Sequence, residues 1–268
     1  MLKNKLKRLL HFAPFFAAWR GAKLICKYSH KGLTAAKALI YYVKWTLNKR
    51  SKVFVRLKKT GVTHIKPFRP LRWKHGVCYF TGIIKNTPVF IKTGGTVDTT
   101  KRERYAIQYA CRQSEFLKKH LPALYPSREF VIEKLVDGSS LSNYKDTDDD
   151  NMILQLYSFY KELKANDIRH LDIRPANFIV TGSGKLVPID FGYALVCTDD
   201  VYDKIEKTPA AAKIIRNLGS DFAPKNGTLD DAYSMLLTMK FVCPSLLRKY
   251  PHIWKELNED IGERAVKL

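Results

Sequence analysis

The amino-acid sequence predicts an α+β fold in two lobes behind a basic helical extension. Three observations carry this. β-branched and aromatic runs gather in the first half of the body, and helical patterns dominate the second half. All of the net charge of +22 lies in the leading part: residues 1–97 hold 22 Lys and Arg and no acid, and the remaining 171 hold 25 of each sign. A turn-rich stretch at 168–194 concentrates Asp and Asn between short strands. The predicted division is an extension over 1–50, a strand-rich lobe over 51–136 and a helical lobe over 137–268.

The composition excludes several classes. With 46% hydrophobic and 12% aromatic residues, the 268-residue chain buries a real core. Five widely spaced cysteines without a C-x-x-C pair argue against a disulfide framework or a zinc site, and fit a reducing cytoplasm. No uncharged apolar run is long enough to span a bilayer.

In the extension, a basic run at 3–8 precedes an apolar stretch at 9–19. His11 and Pro14 interrupt that stretch, and Arg20 follows where a cleaved leader would have small residues. A second apolar stretch at 33–47 carries Lys37 and Lys44 on one helical face. Aromatic residues alternate with lysines and arginines throughout. The pattern predicts a helix pair on an anionic membrane surface, at the inner face of the cytoplasmic membrane. Packing on the body and nucleic-acid binding are the weaker readings of the same composition.

In the body, 53–57 and 77–84 read as strands, and 89–92 completes a hairpin across Lys85-Asn86-Thr87-Pro88. Residues 99–120 lack Gly and Pro and predict one helix ended by Pro122. A strand follows at 130–135 and a helix at 150–166. Short strands at 178–180 and 186–189 flank Thr181-Gly182-Ser183-Gly184, and 229–242 and 246–257 predict helices.

The chemistry concentrates at 168–194, which holds His170-x-Asp172, Arg174, Asn177 and Asp190-Phe191-Gly192. Asn177 and Asp190 supply oxygen ligands of the kind Mg²⁺ takes, with water and phosphate completing its shell. Asp172 is then left to receive an acceptor hydroxyl, and Arg174 adds positive charge where phosphoryl transfer develops negative charge.

This stretch resembles the catalytic and metal-binding loops of protein-kinase-like phosphotransferases, in residue identity and in the spacing from Asp172 to Asn177 and to Asp190. The resemblance implies a bilobal protein-kinase-like fold using ATP and Mg²⁺. It implies that Val89-Phe90-Ile91-Lys92 is the strand whose lysine holds nucleotide phosphates. A glutamate of the next helix should fix Lys92; the candidates are Glu103 and Glu115, with Glu115 preferred because Glu115-Phe116-Leu117 resembles the end of that helix in small kinases. The run from Phe130 through Glu133 and Leu135 to Gly138 resembles the strand and hinge whose backbone meets adenine. Asp231 resembles the aspartate that braces the catalytic loop through backbone N–H groups, and His170 is read as a brace rather than a base.

There are departures. No G-x-G-x-x-G occurs, so a loop of another kind around 66–75 is expected to cover the phosphates. No A-P-E follows Asp190, and 37 residues lie beyond Asp231. The compact second lobe and the basic flanks resemble bacterial kinases of lipopolysaccharide core sugars (heptose and Kdo). That implies a glycolipid sugar as acceptor. A Ser/Thr protein kinase, and a non-catalytic kinase-fold scaffold binding a membrane or nucleic acid, are the alternatives.

Overall fold

The computed structural model describes residues 52–69, 77–94, 99–144, 149–198 and 218–267, together with residue 40. The extension predicted over 1–50 therefore lies outside the described residues, apart from residue 40, as does most of the 66–75 loop expected to cover phosphates.

The first described element is a helix, α1 (Lys52–Lys59). This corrects the strand expected at 53–57. Val53, Phe54 and Leu57 have helical spacing, and all three are buried. Phe54 packs edge-on against Phe80 at 6.0 Å, so tertiary packing overrides the β-propensity of Val53 and Val55. Among the described residues, β1 (Thr63–Pro67), β2 (Cys78–Ile84), β3 (Thr87–Thr93) and β4 (Val131–Lys134) form an antiparallel sheet in that order. β2 and β3 meet in a two-residue turn with Lys85 at φ 45° and Asn86 at φ 65°, the geometry that matches strand twist.

The sheet has two distinct faces. Cys78, Phe80, Ile84, Val89, Ile91 and Ile132 join α1 in one apolar cluster. The register pairs Tyr79 with Lys92, Lys92 with Val131 and Phe90 with Glu133. These residues therefore share the opposite face.

The predicted 99–120 helix is two helices: α2 (Thr99–Gln113) and α3 (Glu115–His120). Ser114 breaks it. Its Oγ accepts from Leu117 N at 3.1 Å as an N-cap and donates to Glu162 at 2.6 Å. After β4 come β5 (Ser139–Ser140), α4 (Asp150–Ala165), β6 (Ile168–Arg169), β7 (Phe178–Val180), β8 (Leu186–Pro188) and β9 (Leu195–Val196). β10 (Thr228–Leu229), α5 (Asp231–Val242), α6 (Leu246–Lys249), α7 (Pro251–Asp260) and β11 (Val266–Lys267) follow among the described residues. Tyr250 separates α6 from α7, which starts at Pro251, where a single helix was expected. The buried faces of α2 to α7 form a second and larger apolar cluster.

Gly138 lies between β4 and β5. A Cβ there would lie 2.3 Å from Val180 O, so only glycine lets the segment after β4 lie against β7.

Candidate active site

β6 and β9 pair antiparallel, Ile168 with Val196 and Arg169 with Leu195. This ties together the two ends of the 168–196 segment, so the loops between them are held at their bases. Inside it, β7 and β8 form the expected hairpin, with Phe178 opposite Pro188. Ile189 N donates to Asn177 O at 2.9 Å, which sets the residue before Asp190 beside Asn177.

The loop after β6 hangs on α5. Asp231 accepts from His170 N at 2.6 Å and from Leu171 N at 2.8 Å. Its neighbour Asp230 caps the helix, accepting from Tyr233 N at 3.1 Å. The two adjacent aspartates thus divide cap and brace between them. Burial lifts Asp231 to about 6, with its two amide bonds opposing that rise. Leu171 at φ 63° and Asp190 at φ 67° both occupy the left-handed region, an unfavourable conformation for these residues that the surrounding bonds enforce. His170 is buried against Phe191 at 4.5 Å, and burial lowers it to about 4. It is therefore neutral at pH 7 and acts as a packed brace. Asp231→Ala leaves two amides without their acceptor, so a stability loss of about 2–4 kcal/mol is expected in urea unfolding. Asp231→Asn, keeping one acceptor oxygen, should lose less.

Asp172 is buried, and each of its carboxylate oxygens is engaged. Oδ1 accepts from Gly219 N at 2.5 Å, and Oδ2 accepts from Asn177 Nδ2 at 2.7 Å. Arg174 lies 3.3 Å from Oδ2. Burial raises Asp172 to about 6, against the pull of Arg174. The Gly219 contact was not foreseen from the sequence. Gly219 has φ +67°, and a Cβ there would meet the Ala223 Cβ at 2.7 Å, so glycine is needed to aim this N–H.

Lys92 projects from β3 and binds Glu103 Oε1 at 2.5 Å and Asp190 Oδ1 at 3.1 Å. Burial would lower this lysine; Asp190, Glu103 and Glu133 outweigh it and hold the ammonium well above its usual range. Lys92 is the largest influence on Asp190 and holds that carboxyl below its usual value.

The partner of Lys92 is therefore Glu103, which corrects the preference for Glu115. The reason is the Ser114 cap. It ends α2 and places Glu115 in the exposed first turn of α3, where it pairs with Lys118 at 2.8 Å. Glu103 shares the buried stripe Glu103–Ala106–Ile107–Ala110 of α2, at spacings of three and four residues. That stripe was the signal available in the sequence.

The expected adenine contacts also change. Leu135 N donates to Pro88 O at 2.9 Å, so its amide is already engaged. By the alternation of an antiparallel ladder, the backbone groups of Glu133 then go to Phe90. Glu133 meets the Lys92 face through its side chain.

The residues present fit a Mg²⁺ ion. Both Asn177 amide hydrogens are used, on Asp172 O and Oδ2, which turns the amide oxygen away from Asp172. Asp190 binds Lys92 through Oδ1, and its side chain is 44% exposed. Among the described residues no group of three or more His, Cys, Asp or Glu could hold a metal alone. A cation held by Asn177 and Asp190 would complete its shell with water and phosphate.

The chain resembles many solved structures in shape, among them one kinase complex. It is the Rio2 kinase–ADP/Mg²⁺–phosphoaspartate complex from Chaetomium thermophilum. The match has 11% sequence identity and a TM-score of 0.46, covering 84% of this chain and 69% of that one. No protein-family model and no curated protein matches the chain.

Proposed function

We propose that the chain is an ATP- and Mg²⁺-dependent phosphotransferase acting on an alcohol hydroxyl. The observation that carries this is the double engagement of the buried Lys92 by Glu103 and Asp190, on a segment that also holds the braced Asp172–Asn177 pair. Lys92, fixed by Glu103, positions nucleotide phosphates. Asn177 and Asp190 would hold Mg²⁺, which neutralises phosphate charge when bound. Asp172 orients the acceptor hydroxyl and takes its proton, and Arg174 offsets charge that develops on the transferred group. Catalysis of this kind is mainly positioning and electrostatics.

The proposed acceptor is a sugar of a lipopolysaccharide core or related envelope glycolipid, met at the cytoplasmic membrane surface. The acid-free, 22-fold basic run of residues 1–97 supports an anionic partner surface. No helix among the described residues is long and apolar enough to cross a membrane. Incubation with labelled ATP tests the acceptor: label in glycolipid is expected, and label in protein substrates alone would favour a Ser/Thr kinase. Removing residues 1–50 is expected to release the chain from anionic vesicles in a flotation assay and leave Mg-ATP binding unchanged. Undiminished vesicle binding would overturn the membrane role.

A further inference from the structure

Gln155 of α4 lies against the outer edge of the β7–β8 hairpin. Its Nε2 donates to Gly184 O at 2.9 Å, and its Oε1 accepts from Leu186 N at 2.7 Å. β8 is the outer strand of the sheet β5–β7–β8. Thr181 N donates to Lys185 O and Ile189 N to Asn177 O, so Lys185, Val187 and Ile189 face β7, and Leu186 and Pro188 face outward. Pro188 has no N–H, which leaves Leu186 N as the outward donor of the strand. The Gln155 carboxamide takes that donor together with the nearby carbonyl, as a further strand would.

The hairpin held in this way carries both proposed metal ligands. Asn177 precedes β7, and Asp190 follows β8. Two turns beyond Gln155 on the same face of α4, Glu162 accepts from Ser114, whose cap separates α2 from α3. α2 carries Glu103. One helix therefore holds the end of the Glu103 helix at one point and the strand leading to Asp190 at another. Those two carboxylates grip Lys92 from separate elements. Lys185 of the same hairpin also donates to Lys119 O in the last turn of α3.

We propose that Gln155 is a positioning residue for the Mg²⁺ ligands: by clipping β8 to α4 it fixes Asn177 and Asp190 relative to Lys92 and Glu103. The inference rests on the phosphotransferase reading and deepens it. A working constellation has to be held within about 0.5 Å, and losing a group that supports metal ligands costs about 10- to 100-fold in metal affinity. Gln155→Leu keeps most of the side-chain volume and leaves Leu186 N and Gly184 O without this partner.

The test follows binding of the β,γ-imido analogue of ATP to the full chain by calorimetry at a series of free Mg²⁺ concentrations. The readout is the free Mg²⁺ that gives half of the limiting affinity. Gln155→Leu is expected to raise it by about 10-fold, and to speed amide exchange across 178–190 in the nucleotide-free chain. Tyr157→Phe removes a different bond of α4, to Glu256 of α7, and should leave the Mg²⁺ requirement within about twofold. A folded Gln155→Leu chain with the wild-type Mg²⁺ requirement or wild-type hairpin exchange would overturn the proposal. So would an equal rise in Tyr157→Phe, which would make the effect a general loosening of α4. Should the leucine variant not fold, Gln155→Glu carries the test, because it keeps the acceptor for Leu186 N and loses the donor to Gly184 O. A raised Mg²⁺ requirement is expected there, and a wild-type value would overturn the proposal. All these outcomes leave the phosphotransferase reading intact, and a folded wild-type chain that binds no Mg²⁺–nucleotide would remove both.

Discussion

Asp172→Ala is expected to lower turnover by about 10²- to 10⁴-fold, the usual range for losing a positioned acid–base group. Mg-ATP affinity should change by less than about threefold. The separation of the two effects follows from the geometry. Asp172 bonds to Gly219, Asn177 and Arg174, and Lys92 bonds to Glu103 and Asp190 instead. The pH dependence has a definite sign. Asp172 must be anionic to accept a proton, and burial raises it to about 6. Turnover should therefore fall as pH drops through about 6, with a bound cation moving that midpoint lower. Loss of nucleotide binding in a folded Asp172→Ala protein would place this residue elsewhere in the mechanism.

Glu103→Gln should reduce kcat/KM for ATP by about 100-fold, and Glu115→Gln should leave it unchanged. Glu103 is buried and holds Lys92 at 2.5 Å. Removing its charge leaves a buried ammonium held mainly by Asp190 and free to shift off the phosphate position, a costly change for a desolvated pair. Glu115 sits in solvent beside Lys118. Steady-state kinetics on the two variants decide between the glutamates. Equal losses in both would mean that α3 and not only α2 bears on the nucleotide.

The contrast between these glutamates shows what the sequence made legible. That Asp172, Asn177 and Asp190 lie close together was legible because they are set at short spacings along one segment, and the β7–β8 hairpin between Asn177 and Asp190 has strong turn signals. The face of β3 that carries Lys92 followed from strand alternation. The helical stripe of α2 pointed to Glu103, and excluding Glu115 required knowing where α2 ends. That end depends on Ser114 reaching Glu162, a contact 48 residues away that local pattern does not contain. The same limit explains α1. Val53, Phe54 and Leu57 suit a strand by composition, and the partner that makes them a helix, Phe80, lies on another element. Gly219 was invisible for a related reason: its function lies in a backbone N–H aimed by φ +67°, across 47 residues from Asp172. Short strands such as β6 and β9 likewise gain their meaning only from each other.

The central claim is that Lys92, Glu103 and Asp190 form a nucleotide-phosphate site with Asn177. Calorimetric titration of the purified full chain with ATP, with and without Mg²⁺, tests it most directly. The account predicts saturable one-to-one binding that requires Mg²⁺ and is lost in Lys92→Met with the fold retained. A folded wild-type chain that binds no Mg-ATP, or a Lys92→Met protein that binds it as tightly as the wild type, would contradict it.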